Sequence, residues 1–505
     1  MLYFTGNRLK RRTDDLKLDK FKKRDCFSDL ESYLESDNLK ICCLYGLRRT
    51  GKTTMMYQAI KELDNYNDSL YILCTRGDTF YNLMDVLDEN NDKKYIFIDE
   101  ASFISDFINS SSVLSDYYLN RKNRIVIGGT DSLAFALAAR DELYDRETMI
   151  HTSYISYKEY RRLLGKSLMD YIRYGGTLTD GKTLYNNDHR GVYTNYAITE
   201  NIANSLANWG RGNQYDSIKS GVYHHDIASA INRVLESGNA KFLESVVNDD
   251  FHSHTLGSLR QLLNKNRKVN PSLLSTAEME DRIRIFLQIK EYNYEYFETD
   301  ALDELKEYLM DLDVVWHIGG RDIFVQPGLR YAQCQELSDA LVTSDVFAEY
   351  TEEQRQTILS KLESDICGQI LEDIIVLQVS LNKILDVRKI RNRKGNEIDM
   401  LVTDEETGKS FAAEIKLSDK NVSNQWRHLN NEDFCDEIEN RIFGGKIINK
   451  AVIYMGKTKN SDDWLYVNAE AFLKNDEEYL NVLLDHKVEA KDLISAKTPE
   501  KAKIE

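Results

Sequence analysis

The chain is poor in the residues that mark breaks and staples. Only three prolines occur in 505 residues, so no proline-rich linker divides it, and domain boundaries have to be sought in patterning. No stretch approaches the roughly eighteen consecutive apolar residues of a membrane-spanning helix, so no membrane partner is expected. The opening MLYFTGNRLKRR has too short an apolar run before its charges to read as a secretory signal. The seven cysteines (26, 42, 43, 74, 334, 367 and 435) form no CxxC pair and no zinc-ligand spacing. Reduced, mostly buried thiols of a cytoplasmic protein are expected. There is no low-complexity tract and no internal repeat. Positive charge is also outnumbered: 66 Lys and Arg against 83 Asp and Glu leave a net −17, which argues against a protein that coats nucleic acid indiscriminately. Local basic runs remain at 8–24 and 388–394. The first reads as a solvated surface or tail.

What is present is length. A chain of 505 residues exceeds one hydrophobic core, so about two to four domains are expected. Its 42% hydrophobic and 30% charged residues are those of a globular protein.

The sharpest local signal starts at Leu39. LKICCLY, to Tyr45, is a near-continuous apolar run of the length of a buried parallel strand. GLRRTGKTT follows, with Gly46, Gly51, Lys52 and Thr53 in GxxxxGK[ST] spacing, and then MMYQAIKEL with helical periodicity. Strand, glycine-framed loop and helix together predict a nucleotide-binding P-loop. Glycines let backbone N–H groups curl around phosphates, Lys52 is placed to reach the β and γ oxygens, and the Thr53 hydroxyl to ligate Mg²⁺. A second strand, KYIFIDEA over 94–101, ends in two acids. Asp99 fits the carboxylate that holds Mg²⁺ and Glu100 the base that orients an attacking water, so ATP hydrolysis is expected rather than binding alone. A third strand, Arg124 to Ile127, runs into GGTDS, where Thr130 or Asp131 is placed to touch the γ-phosphate or the water. With SLYILC at 69–74 and a strand over 148–155, five strands alternating with helices predict an α/β P-loop domain over 28–165, after a basic segment 1–27. Arg140 and Arg146 are candidates for an arginine finger in cis or across a subunit interface, with Arg146 favoured.

Beyond 165 the pattern is helical to about 255. Residues 256–345 have the order of a winged helix: GSLRQLLNKNRK, then ALDELKEYLMDLDVV (301–315), then a hairpin VVWHIGGRDIFVQPG turning at Gly319-Gly320. Asp303, Glu304, Glu307, Asp311 and Asp313 would repel phosphates there, which favours a structural role over DNA reading.

A second constellation lies in 350–485, before a charged tail 486–505. A helix ICGQILEDIIVLQVSL is followed by strands LDVRKIRN, EIDMLVTD and SFAAEIKLS, a helix over 424–442, a strand KAVIYMG and a helix VNAEAFLKN. Glu414 and Lys416, two apart, share one strand face, and Asp399 lies on the neighbouring strand. Asp399 with Glu414-x-Lys416 is the D…ExK arrangement of metal-dependent nucleases, in which carboxylates hold Mg²⁺ or Mn²⁺ and the lysine positions water or neutralises charge. Glu372 supplies a further ligand from the helix, with Glu397 a less certain neighbour. The predicted order αβββαβ is that of a restriction-endonuclease-like domain, and the run 388–394 could track a nucleic-acid backbone.

Taken together, GLRRTGKTT, YIFIDEAS, IGGTDS, DRETMIHTSYISYKEY, YGG, VQPGLRYA, GQILEDIIV, NEIDMLV and AAEIKLS over about 30–475 resemble prokaryotic ATPases of the AAA+/STAND-related type. Those proteins join a P-loop domain to a winged helix and a C-terminal restriction-endonuclease-like domain. The resemblance implies ATP contacts from Gly46, Arg49, Thr50, Gly51, Lys52, Thr53, Thr54, Asp99 and Glu100, and nuclease-like residues at Glu372, Asp399, Glu414 and Lys416. The chain departs from the pattern at 179–225, rich in tyrosine and asparagine, and after YGG, where Thr177 and Leu178 replace the usual proline. Two functions follow as expectations. One is an ATP-gated nuclease acting on DNA or RNA, in defence or mobile-element biology. The other is a STAND-like switch that oligomerises with nucleotide and carries a non-cleaving nuclease-like domain.

Overall fold

The computed structural model describes residues 1–178 and 307–495 except 38–39, 76, 105–106, 119–122, 131, 142, 144, 308, 349, 383, 393–395, 421–425, 442–445 and 462–463; between them it describes only 282, 285 and 286. The first winged-helix helix, at 257–268, and the segment 179–225 lie outside the described residues, as do 301–306 and 308 of the expected helix 301–315, whose described part is helical only to Asp311 before turning into a strand at Val315.

All five expected strands form: β2 (Ile41–Tyr45), β3 (Ser69–Leu73), β4 (Tyr95–Asp99), β5 (Arg124–Gly129) and β6 (Glu147–His151). The apolar character of β2 to β5 follows from burial on both faces by α1 (Gly6–Asp15), α2 (Phe27–Glu35), α3 (Lys52–Leu63), α4 (Phe80–Glu89), α5 (Phe107–Tyr118) and α6 (Ser132–Asp141), whereas the edge strand β6 is only half-buried. The sheet has a sixth member, β1 (Leu2–Thr5), antiparallel to β3. The segment expected as a basic N-terminal tail therefore supplies an edge strand and a helix. Some of its cations have partners: Arg12 lies 4.5 Å from the Phe4 ring centroid and hydrogen-bonds Tyr57.

Strand order is β1-β3-β4-β5-β2-β6. β5 thus stands between the P-loop strand β2 and β4. This crossover sets the C-terminal end of β5 between the loop after Tyr45 and the acids at the end of β4, the crevice position where open parallel sheets bind ligands.

After β6 come α7 (Tyr157–Leu164) and α8 (Leu168–Tyr174). Ser156 caps α7 and Ser167 forms a capping box with Asp170. The expected hairpin forms as β7 (Val315–Ile318) and β8 (Arg321–Phe324), turning at Gly319-Gly320. Pro327 then opens α9 (Pro327–Thr343), and Thr351 caps the 29-residue α10 (Glu352–Ser380).

The C-terminal sheet contains β9 (Leu385–Arg391), β10 (Glu397–Asp404), β11 (Lys409–Lys416), β12 (Lys446–Tyr454), β13 (Lys459–Ser461) and β14 (Trp464–Asn468), in the order β13-β14-β12-β11-β10-β9. β9, β10 and β11 form an antiparallel meander, and β11, β12 and β14 run parallel. The expected helix over 424–442 is α11 (Glu432–Arg441). VNAEAFLKN divides differently from expectation: Val467 and Asn468 end a strand, and Asn468 caps α12 (Ala469–Lys474). Two more helices follow, α13 (Asp476–Asp485) and α14 (Ala490–Ser495). The tail is not wholly solvated, since Leu493 is fully buried.

One hydrophobic core joins α7, α8, α9 and α10 to the C-terminal sheet and α12 to α14, running from Ile155 and Tyr171 through Ile375 and Ile415 to Leu493. Apolar continuity therefore does not break at 165, the expected end of the ATPase domain, or at 345, the expected end of the winged-helix-like domain. Tyr157 and Tyr160 are buried in this core, which is why the aromatic-rich SYISYKEY leaves the ATPase sheet. All cysteines except Cys26 are buried, and none is in a disulfide. No helix among the described residues is long and apolar enough to cross a membrane.

Candidate nucleotide site and a carboxylate–lysine cluster

The loop from Gly46 to Thr53 connects β2 to α3. Gly46 has φ of 136°, and a Cβ there would stand 2.7 Å from the Ser153 nitrogen and hydroxyl, so only glycine lets β2 turn so close to the chain leaving β6. Thr50 is fully buried and hydrogen-bonds Leu47 O and the Thr152 hydroxyl. Lys52 Nζ donates to Gly46 O at 2.8 Å and Leu47 O at 2.7 Å. Burial pushes its ammonium down to about 8, against the pull of Glu100 and Asp99. An anion in the loop would restore that lost solvation.

The Thr53 hydroxyl donates to Asp99 Oδ2 at 2.7 Å, so the two groups expected to share Mg²⁺ meet directly. Tyr71 donates to the same oxygen at 2.7 Å, a buried partner that sequence reading missed because a tyrosine in an apolar strand reads as core. Glu100 has φ of 56°, a left-handed conformation that turns the chain at the strand end. Burial and then the Asp99 charge raise its carboxyl, the direction that suits a base. Thr130 donates to Glu100 Oε2 at 3.4 Å. Asp131 and the Arg140 side chain lie outside the described residues.

Arg146 is exposed and directly precedes Glu147, which pairs with Ile41 at the start of β2. The P-loop follows Tyr45 at the other end of that strand. Five residues of extended chain span about 16 Å, so Arg146 cannot serve as a finger within its own chain.

A cavity of about 1140 Å³ opens over the loop, with Arg48, Arg49, Lys52, Thr53, Thr54, Glu100 and Thr130 on its walls and Lys17, Lys20 and Lys22 adding positive charge. Its size and charge suit a polyphosphate. Arg24, from the expected tail, instead builds the frame. It is buried against Glu159 on α7 at 2.6 Å and donates to the carbonyls of Thr50, Thr152 and Tyr154.

Residues 38–161 match the family model described as an AAA domain. The N-terminal unit is a P-loop ATPase domain of the AAA type. The chain is also similar in structure to the Walker-type ATPase PABY2304 of Pyrococcus abyssi, at 13% identity and a TM-score of 0.29, covering 62% of this chain and 95% of that one. No curated protein matches the chain.

Beyond the ATPase domain, the structure brings Glu372, Asp399, Glu414 and Lys416 together. Lys416 Nζ lies 2.8 Å from Asp399 Oδ2 and 2.9 Å from Glu414 Oε2. Asp399 Oδ2 also accepts from the Ile415 amide at 2.8 Å. A register shift between Ile398 and Leu401 falls at Asp399, and such bulges re-aim side chains. Burial alone would raise the Asp399 carboxyl, but Lys416, Lys389 and the Ile415 amide hold it well below its ordinary value. Glu414 is raised by burial and by the Asp399 charge, and Glu372 is pushed up to about 8 for the same reasons. Glu414 Oε1 is buried and has no hydrogen-bond partner among the described residues, as fits an oxygen reserved for a ligand. Yet among the described residues no three His, Cys, Asp or Glu side chains are drawn together as a metal site. The Lys416 ammonium bridges Asp399 and Glu414 instead.

Two cations complete the cluster, Arg321, which the sequence reading missed, and Lys389, which it read only as part of the basic run 388–394. Arg321 on β8 reaches Glu372 Oε2 at 3.3 Å and Asp373 Oδ1 at 3.5 Å. Lys389 pairs with Glu397 and lies 3.8 Å from Glu372. The run 388–394 is therefore partly spent on neighbours, with Arg388 on Asp386 and Arg391 on Glu397; Arg393 and Lys394 lie outside the described residues.

Proposed function

We propose that the chain hydrolyses ATP and that its nucleotide state governs a metal-dependent phosphodiesterase at the C-terminal cluster, acting on DNA or RNA. The carrying observation is the meeting of Asp399, Glu414 and Lys416 within hydrogen-bond distance on adjacent strands. In the ATPase domain, Lys52 and the loop around Gly46, Arg49, Thr50, Gly51 and Thr54 hold the phosphates. Thr53 and Asp99 hold Mg²⁺, Glu100 takes the proton of the attacking water, and Thr130 orients Glu100. At the second site Asp399, Glu414 and Glu372 would supply oxygens for Mg²⁺ or Mn²⁺, and Lys416 would position water after giving up its bridge between Asp399 and Glu414. A bound divalent ion lowers the pKa of water and stabilises charge on the phosphate being cleaved. A restriction-endonuclease-like fold, with its partner nucleic acid lying along the sheet edge, accords with the helix, meander and parallel strand that carry these residues. Defence or mobile-element biology is the setting such a pairing fits.

Lys416→Ala is expected to abolish Mg²⁺- or Mn²⁺-dependent cleavage while ATP binding survives. Equal cleavage by this variant and the parent chain would remove the cluster from the reaction. A second reading is favoured by one observation, the lysine bridge that stands where three acids would otherwise converge. On that reading the C-terminal unit binds a partner without cutting, and ATP drives assembly of a homo-oligomer. Nucleotide-dependent oligomerisation unchanged by Asp399→Ala, with nucleic acid left intact, is its signature.

A further inference from the structure

The two sites are connected through one β-hairpin. Leu47 of the P-loop donates its N–H to Ser153 Oγ at 3.0 Å, and the Ser153 hydroxyl donates to Asp313 Oδ2 at 3.2 Å. The same carboxylate meets His151 Nε2 at 2.6 Å and accepts the Trp316 indole N–H at 3.3 Å. Trp316 lies on β7, and Arg321 begins β8 of the same hairpin. From there Arg321 bonds Glu372, as above, and donates to the Asp399 carbonyl at 3.3 Å. The hairpin tip is pressed onto the C-terminal sheet: a Cβ on Gly319 would stand 2.5 Å from Val387 O. Asp313 itself holds a left-handed backbone, φ 62°, a conformation uncommon outside glycine but more accessible to Asp than to most residues.

We propose that the hairpin Val315–Phe324 relays the state of the P-loop to the carboxylate–lysine cluster, with Arg321 the positioning residue for Glu372 and for the Asp399 segment. This rests on the nucleotide-governed reading above. Lys52 is bonded to Gly46 O and Leu47 O, and the Leu47 peptide is the one that Ser153 holds. A polyphosphate that draws the ammonium away releases those carbonyls and shifts the Leu47 peptide against Ser153. Asp313 feels that shift through Ser153, and the hairpin carries it to Arg321. The relay is short because its ends are the two ends of a single rigid two-stranded element.

The test is amide hydrogen exchange, read by mass spectrometry on the full chain with and without a non-hydrolysable ATP analogue and Mg²⁺. In the parent chain, nucleotide is expected to alter exchange both in 46–56 and in 397–416. In Arg321→Gln and in Asp313→Asn the 46–56 response is expected to persist, while the 397–416 response falls at least threefold. Exchange in β5 (Arg124–Gly129) reports whether each variant is folded, and if Asp313→Asn is not, Arg321→Gln alone decides. A 397–416 response of undiminished size in the folded variants overturns the relay. So does a parent chain in which 46–56 responds and 397–416 does not. If 46–56 itself is unmoved, the nucleotide reading falls and the relay with it. Cleavage is not read, so failure of the nuclease reading would show separately.

Discussion

Asp313 shows how much one side chain does in this molecule. Burial alone would raise its carboxyl, but the hydrogen bond and charge of His151, with the Trp316 indole, outweigh that and hold it below its ordinary value. A carboxyl depressed in the folded state stabilises the fold above its unfolded pKa and ceases to do so as pH falls through the folded value. Asp313→Asn is therefore expected to cost about 1–3 kcal/mol near neutral pH. In urea melts that deficit should shrink as pH drops below about 4. A deficit constant from neutral to strongly acidic pH would show that the ionised carboxylate is not what matters. Nothing in the sequence singled this residue out for such work, because it read as one acid among several in ALDELKEYLMDLDVV. Lys52, Thr53, Asp99 and Glu100 were legible because their chemistry demands fixed spacing next to a strand. Arg321 was not, because its partner Glu372 lies far along the chain and no local pattern records a long-range ion pair.

At the scale of elements, β2 to β5 were readable from apolar runs, and β6 and the C-terminal meander from strand-length segments set off by turns. β1 and α1 were missed because a four-residue edge strand beside a basic helix has the composition of a tail. Their place follows from long-range contacts: β1 pairs with β3 from Leu2↔Leu73 to Thr5↔Leu70, and Arg24 is buried with Glu159. That buried pair fastens the N-terminal segment to α7 and to the carbonyl of Thr50 in the P-loop. Arg24→Met would leave Glu159 buried without its partner and is expected to cost about 3–5 kcal/mol. It should also weaken nucleotide binding, since the loop loses its rear support. Chemical denaturation and nucleotide titration of the variant check both, and parent-like values in each would show that the pair is dispensable. The helical middle was the least legible part: α7 and α8 follow the ATPase sheet in sequence, but α8 packs against α9 and α10 while the α7 tyrosines pack on α8 and reach α12. Domain limits drawn from periodicity cannot see which core a helix joins.

For the molecule as a whole, the P-loop and the carboxylate–lysine cluster belong to different sheets, yet one hairpin makes contacts toward both of them. The strap Gly175–Leu178 is a further contact between the two halves. Leu178 donates to Arg49 O at 2.9 Å, and Gln326 and Gly328 at the start of α9 donate to Gly176 O and Gly175 O. α9 in turn holds α10 through Arg330 and Asp373 at 3.0 Å, one residue from Glu372. The central claim is that the state of the ATP site decides whether the distant cluster cuts. Its most direct test is a cleavage assay over single- and double-stranded DNA and RNA, with Mg²⁺ or Mn²⁺. The parent chain would be compared with Lys52→Ala, expected to lose nucleotide, and Glu100→Gln, expected to bind ATP but hydrolyse it about 10²–10⁴-fold more slowly. The account predicts cleavage that changes with added nucleotide in the parent chain, is locked in the ATP-bound state in Glu100→Gln, and is indifferent to nucleotide in Lys52→Ala. Nucleic acid left intact in every combination, or cut at one rate by all three proteins, would contradict it.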